Sequence, residues 1–96
     1  MKLQPSETEL TGKWLFEHGR IVGDDTLERV DWLTKNHLVK LAQDQSGWFT
    51  LFRDPDDGRY WEHYYPQSFM HGGGPPALRV ISREEAETKY GVSLPK

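Results

Sequence analysis

Two aromatic-rich segments joined by a short acidic turn constrain the fold of this chain more than any other feature. The segments are GWFTLFR at 47–53 and RYWEHYY at 59–65, and DPDDG connects them. Pro55 presets a turn position, Gly58 supplies a positive φ, and the side chain of Asp54 can accept hydrogen bonds from N–H groups of the turn. The pattern predicts an aromatic-rich β-hairpin at the centre of a small antiparallel sheet.

The chain before this hairpin predicts a strand, a helix and a second strand. Residues alternate from Leu10 onward in LTGKWLFEHG, which is typical of a strand, and Gly19 to Gly23 then offers a turn. Asp24 or Asp25 can cap a helix at about 25–35, where apolar residues recur three apart. The next segment, HLVKLAQ, fits either a continued helix or a strand, and the turn sequence DQSG after it favours the strand.

The chain after the hairpin predicts a loop, a short strand and a terminal helix. Prolines and three glycines cannot continue a helix or a strand, so we expect a long Gly/Pro loop over 66–76. ALRVI then fits a strand. A helix at about 83–90 follows, with Ser82 as N-cap, Glu85 as its capping-box partner and Gly91 beyond its end. This order of elements predicts an α+β fold with an antiparallel sheet and two helices.

The length of the chain sets the expected domain organisation. A chain of 96 residues rarely supplies two independent cores, so we expect a single domain over 10–96. Residues 1–9 mix Pro, Ser, Thr and Glu and offer little to bury, which predicts a flexible N-terminal arm.

Composition argues against several classes of function. There are 12 Lys/Arg against 15 Asp/Glu and the net charge is −3, so the basic footprint of a general nucleic-acid binder is missing. There is no Cys, which removes disulfides, thiolate zinc sites and Cys nucleophiles. No segment approaches the roughly 18 apolar residues of a membrane span, and the N-terminus lacks the apolar core of a signal peptide. We expect a cytoplasmic protein that binds no nucleic acid, membrane, metal or cofactor.

The stretch HGGG at 71–74 raises the question of catalysis, because many lipases and esterases build an oxyanion loop from such residues. That loop requires a G-x-S-x-G elbow, which is found around none of the serines in this chain. The simpler interpretation is that Gly72, Gly73 and Gly74 let a loop turn sharply or let another backbone approach. A small hydrolase or metal-dependent enzyme that uses His71 and nearby carboxylates remains the rival hypothesis.

Metal binding and acid–base chemistry have weaker support. His63, His71 and Glu62 offer ligand atoms, but their spacing matches no zinc pattern, and Glu62 and His63 point to opposite faces of a strand. The aspartates of the turn could act with Glu62 in acid–base catalysis. Turn chemistry and pairing with Arg53 and Arg59 explain these aspartates more simply.

Rings lie on both predicted faces of the hairpin. Trp48 and Phe52 face away from Phe49, and Tyr60 faces away from Trp61, because alternate residues of a strand point to opposite sides. A sheet covered by helices on one side needs only one apolar face. The remaining rings either form a protein-binding surface, since Tyr and Trp are enriched in binding hot spots, or lie beneath the loop at 66–76.

The stretch RDPDDGRYWEHYYPQSFMHGGGPP, from Arg53 to Pro76, resembles the segment typical of the bacterial immunity protein 27 family. The similarity continues in the G-x-W at Gly12, in Asp24-Asp25 before the first helix, in Gly47-Trp48, and in the terminal E-A-x-x-K-Y-G. It covers nearly all of the chain after residue 9. His63 departs from the pattern, because a smaller apolar residue is expected there.

The resemblance implies a small, non-enzymatic cytoplasmic protein that binds one cognate polymorphic toxin and neutralises it by occlusion. The acidic balance suits a basic toxin domain. On this hypothesis the working surface is the end of the hairpin together with the loop, with tyrosine and tryptophan anchors and charged contacts around them. The predicted toxin-binding residues are Asp54, Asp57, Arg59, Tyr60, Trp61, Glu62, Tyr65, His71, Gly72, Gly73 and Gly74.

Two other hypotheses stay open. The Arg-Asp turn and the glycine loop could serve only to hold the fold together, which would leave contact with the toxin to the helices. Alternatively, the chain could be a general protein-interaction module that has no toxin partner. The sequence does not determine the oligomeric state.

Overall fold

A computed structural model describes residues 3–66 and 74–94 of the chain. The strands are β1 Glu9–Thr11, β2 Trp14–Glu17, β3 Arg20–Gly23, β4 Val39–Gln43, β5 Thr50–Arg53, β6 Tyr60–Tyr64 and β7 Ala77–Ile81. The helices are α1 Asp25–Trp32, which continues into a π-helical turn at Leu33–His37, and α2 Arg83–Tyr90. The predicted α+β class, with antiparallel strands and two helices, is confirmed.

The strands form a five-stranded sheet and a separate two-stranded hairpin. The large sheet has the order β1-β7-β6-β5-β4, and each neighbouring pair is antiparallel. Strand β6 lies at its centre, where Trp61 is paired with Phe52 of β5 and with Val80 of β7. Strand β4, the predicted strand over HLVKLAQ, forms one edge and carries an irregularity in register between Lys40 and Ala42.

Helices pack on both faces of the large sheet, so each face has its own core. One cluster joins α1 and the π-helical turn to the sheet and contains Leu3, Leu10, Val30, Leu33, Leu38, Phe52, Trp61 and Leu78. The other lies beneath α2 and contains Leu51, Ile81, Ala86 and Leu94. The one-sided cover assumed from the sequence is therefore wrong. Two covered faces explain why β5 and β6 carry apolar residues in both directions.

Strands β2 and β3 form a hairpin of their own. Its tip is the pair His18 and Gly19, which have φ values of 51° and 76°. Positive φ at both central residues is the signature of the two-residue turn whose twist matches that of paired strands. The single strand predicted from Leu10 is therefore divided between β1 and β2. Of the turn predicted at 19–23, only Gly19 lies in the turn, and Arg20–Gly23 forms strand β3.

The two helices begin where capping chemistry predicts. The Asp24 side chain accepts a hydrogen bond from the Leu27 N–H at 2.8 Å, so Asp24 and not Asp25 caps α1. The Ser82 hydroxyl accepts one from the Glu85 N–H at 3.0 Å, and Gly91 ends α2 with a φ of 64°. The bounds of α2 agree with the predicted 83–90. Helix α1 is shorter than predicted, because its last turn adopts π-helical geometry.

The described part of the N-terminal segment packs against the rest of the protein. Leu3 is buried in the α1-side cluster, and Glu7 makes two hydrogen bonds of 2.6 Å with the Arg29 guanidinium. Strand β1 then pairs with β7 from Glu9 onward. Residues 3–9, which belong to the flexible arm predicted from the sequence, thus make contacts with distant parts of the chain. A buried leucine, an ion pair and strand pairing together hold the segment against the rest of the protein.

Candidate functional site

The structure places the predicted toxin-binding residues at opposite ends of β6. Asp54, Asp57, Arg59 and Tyr60 lie at the turn between β5 and β6, whereas Tyr65 follows the far end of β6. An extended strand rises about 3.3 Å per residue, so the two ends are separated by roughly 16 Å. Gly74 lies shortly before β7, and His71, Gly72 and Gly73 lie outside the described residues. The described members of the predicted surface are therefore spread over both ends of β6.

The turn between β5 and β6 is fixed by hydrogen bonds within it. The buried side chain of Asp54 accepts from the Asp56 N–H at 2.8 Å, and its backbone accepts from the Gly58 N–H at 2.8 Å. Gly58 has a φ of 78°, where a side chain would be strained. Asp54 therefore caps the turn, and only 1% of its surface is exposed for contact with a partner.

A histidine joins this turn to the π-helical turn. His37 Nε2 lies 3.2 Å from Asp54 Oδ1 and 3.4 Å from Asp56 Oδ2. The donor atoms of these three residues lie within 4.8 Å of one another, so one nitrogen and two oxygens could hold a divalent cation. The same distances allow the His37 N–H to donate to the two carboxylates, which satisfies the group without an ion. Neither Glu62 nor His63, two of the ligands considered from the sequence, belongs to it.

Arg59 ties the turn to the N-terminal segment. Its Nε donates to Asp57 Oδ2 at 2.6 Å, and its terminal nitrogens donate to the carbonyls of Glu7 at 2.6 Å and Gln4 at 3.0 Å. Burial acts to raise the pKa of Asp57, but hydrogen bonds from Arg59 outweigh it and the pKa falls below its ordinary value. The guanidinium also lies 5.0 Å from the centre of the Trp61 ring. Through these contacts Arg59 joins the turn, the N-terminal segment and Trp61.

Glu62 is the centre of a buried ionic network on the α2 side of the sheet. None of its surface is exposed, and its Oε1 accepts from the Arg79 Nε at 2.9 Å. Its Oε2 accepts from the Tyr90 hydroxyl at 2.9 Å and lies 2.7 Å from the Lys89 Nζ. Burial, and then the hydrogen bond to Glu62, raise the pKa of Tyr90 above its ordinary range. The network connects β6, β7 and α2.

Trp61 and Tyr60 pack into opposite cores. Trp61 is fully buried on the α1 side, and its indole N–H has no hydrogen-bond partner among the described residues. Tyr60 is partly buried against the α2-side cluster. Trp61 and Glu62 expose no surface, so neither can touch a partner in this conformation. Their proposed role as contacts conflicts with their burial, and their observed contacts support the fold.

The far end of β6 carries a group of aromatic rings that is partly exposed among the described residues. Tyr65 makes edge-to-face contacts with Trp48 at 5.2 Å and His63 at 5.5 Å between ring centres. Trp48 is 46% exposed and, with Tyr65, Phe49 and Ser46, lines a cavity of about 370 Å³. Burial lowers the pKa of His63 below its ordinary value. Of the predicted contacts, Tyr65 therefore has the most suitable surroundings.

Sequence reasoning missed the most exposed apolar surface of the described chain. Phe16 and Ile21 face each other across the β2–β3 hairpin and are 76% and 69% exposed. Trp14, on the same face, is 50% exposed and borders a cavity of about 300 Å³ against α1. The signal was present in WLFE-HG-RIVG, because a two-residue turn containing Gly between alternating segments indicates a hairpin.

Comparison with protein families shows which family has a sequence pattern like that of this chain. The sequence profile of immunity protein 27 matches residues 16–82, which is more than half of the chain. The chain belongs to the immunity protein 27 family. The match includes β3 through β7, and therefore both ends of β6 and the pair Glu62 and Arg79, whereas Lys89 and Tyr90 lie beyond it. It also includes the exposed pair Phe16 and Ile21 at the tip of the hairpin.

Membership of the immunity protein 27 family makes this chain an immunity protein directed against a toxin. No curated protein and no solved structure matches the chain significantly. Neither helix among the described residues has the length and apolar character needed to cross a bilayer.

Proposed function

We propose that this immunity protein binds a cognate polymorphic toxin in the bacterial cytoplasm and neutralises it by occlusion, without catalysing a reaction. The match to the immunity protein 27 family over residues 16–82 carries the proposal. The net charge of −3 supports a basic toxin domain as partner, since opposite charges speed encounter between proteins.

Three of the four carboxylates considered for catalysis, those of Asp54, Asp57 and Glu62, are engaged by partners within the protein. Glu62 is enclosed and saturated by cationic and hydroxyl donors. Asp54 caps its turn, and Asp57 is held by Arg59. A general acid or base must reach the proton that it transfers. These three groups instead face partners within the protein.

The predicted contact residues divide into two proposed roles. The first role is to stabilise the fold, and it belongs to the buried residues Asp54, Trp61 and Glu62. Arg59 shares this role because it binds the N-terminal segment. The accessible end of β6, represented by Tyr65, contacts the toxin. Asp57, Tyr60 and Gly74 remain proposed toxin contacts, and His71, Gly72 and Gly73 remain sequence-based predictions outside the described residues.

Co-expression tests the proposal. The partner is the C-terminal domain of the polymorphic toxin encoded beside this chain, produced in bacteria with and without the immunity protein. We expect growth to be restored only when the immunity protein is present, and the purified proteins to co-elute as a stable complex in size-exclusion chromatography. Protection without any complex, or protection abolished by a chelator, would overturn binding as the mechanism.

A further inference from the structure

We infer that the β2–β3 hairpin and the groove between it and α1 form the main docking surface for the toxin. The groove is the cavity of about 300 Å³ bordered by Trp14, Leu27, Glu28, Asp31 and His63. The inference rests on the proposed function and names a surface that lies outside the toxin-binding residues predicted from the sequence.

The exposure of the hairpin is the first support. Phe16 and Ile21 expose 76% and 69% of their surface at directly opposed positions, and Trp14 continues the same face. An isolated two-stranded hairpin is marginally stable in water, and its apolar side chains add little to the fold while they remain exposed. A contiguous apolar patch of this kind marks an interaction surface.

The anchoring of the hairpin is the second support. A Cβ added to Gly12 would lie 2.8 Å from Leu27 Cβ, and one added to Gly23 would lie 2.7 Å from Leu27 Cδ2. These close approaches place the open end of the hairpin, where the chain enters β2 and leaves β3, directly against α1. A hydrogen bond of 3.0 Å from the Asp24 N–H to the Lys13 carbonyl adds to this contact. The base is therefore held in place while the tip projects, so the rings are presented at a defined angle.

The apolar and charged residues of the groove indicate which kind of partner surface can bind there. Its apolar wall includes Trp14 and Leu27, and its ionised groups are the carboxylates of Glu28 and Asp31. Burial lowers the pKa of His63 below its ordinary value, although the nearby Asp31 carboxylate opposes that shift. Asp31 pairs at 3.0 Å with Lys35, whose side chain is 69% exposed, so the pair is weak and exchangeable. The matching surface is an apolar side chain flanked by Lys or Arg.

The groove also reaches the accessible end of β6. His63 lines it and stacks edge-to-face on Tyr65, and Pro76 lines it just before β7. A partner seated on the hairpin could therefore extend onto the ring group around Tyr65. A second copy of the chain that met this surface symmetrically would bring the same carboxylates together, which opposes self-association through it.

Binding of the inactivated toxin domain to purified variants tests the surface. Phe16→Ser removes an exposed ring, and Val39→Ser, at a residue 48% exposed on the β4 edge, is its matched control. Glu28→Lys reverses a charge in the first turn of α1, and Glu84→Lys does so in the first turn of α2. We expect about 30-fold weaker binding for Phe16→Ser. Glu28→Lys should slow association about tenfold at low salt, and both controls should bind like the wild-type protein.

The possible results distinguish an error in the docking surface from an error in the proposed function. If the wild-type protein binds and both test variants bind equally well, with thermal midpoints unchanged, the docking surface is wrong and the proposed function stands. If the wild-type protein itself fails to bind, the proposed function falls and the surface falls with it. Analytical ultracentrifugation of the free protein gives a third result. A dimer that Phe16→Ser dissociates would assign the patch to self-association and overturn the inference.

Discussion

Glu62→Gln tests whether this carboxylate supports the fold or contacts the toxin. The wild-type carboxylate is fully buried, and Arg79, Tyr90 and Lys89 lie 2.7–2.9 Å from it. Glutamine preserves the shape of the side chain, but it removes the charge and directs an NH₂ donor toward groups that are themselves donors. The variant therefore leaves at least one donor without an acceptor.

The burial and the contacts of Glu62 set the loss of folding free energy expected for Glu62→Gln. An unmatched buried donor costs about 1–3 kcal/mol, and breaking a fully buried ion pair costs roughly 3–5 kcal/mol. Arg79 and Lys89 side chains are 39% and 28% exposed, so water can partly replace the lost carboxylate. We therefore expect a loss of about 2 kcal/mol, which lowers the thermal midpoint of a chain of this size by roughly 8–10 °C.

The assay is thermal unfolding followed by circular dichroism, with toxin binding measured at a temperature where the variant remains folded. Glu85→Gln is the control, because Glu85 also contacts Arg79, at 3.3 Å, but is 47% exposed. It should cost less than about 0.5 kcal/mol. We expect Glu62→Gln to keep the affinity of the wild-type protein. An unchanged midpoint together with lost binding would refute the structural role and restore Glu62 as a contact.

Two further predictions concern the packing of the N-terminal half. Gly12→Ala places a Cβ 2.8 Å from Leu27 Cβ, so denaturant unfolding should show a loss of about 1–3 kcal/mol; a stability equal to that of the wild-type protein would contradict the close approach. The hydrogen bond from Arg29 lowers the pKa of Glu7 from 4.5 to about 2, so the folded state binds fewer protons than the unfolded state. The resulting stabilisation, about 1 kcal/mol for this partly exposed pair, is present above pH 4.5 and lost as the pH falls toward 2. Glu7→Gln should remove that part of the pH dependence, measured by urea unfolding between pH 2 and 5, and an identical pH profile in the variant would count against the pair.

Features that depend on neighbouring residues could be predicted from the sequence. The Ser82 cap, the end of α2 at Gly91 and the positive φ of Gly58 all follow from interactions within a few residues. The α+β class follows from the order of such segments. The β2–β3 hairpin belongs to the same category, because His18-Gly19 is a local turn signal between two alternating segments.

Features that depend on which elements meet in space could only be decided by the tertiary structure. Alternation along β6 separates Trp61 from Glu62, but it does not reveal that α1 covers one face and α2 the other. The burial of Glu62 requires Lys89 and Tyr90, which are far away in the sequence. Likewise, Leu3 is a core residue because β1 pairs with β7 and because Arg29 and Arg59 bind the segment that carries it.

The sequence by itself determined the family, the class of fold and the local turns and caps, since short-range hydrogen bonding and backbone preferences encode them. Only the tertiary structure decided which of the predicted toxin-binding residues are buried and which aromatic side chains remain exposed. The physical reason is that burial belongs to the assembly of distant elements: a tyrosine, a tryptophan or a glutamate is accessible only where no helix packs over its strand.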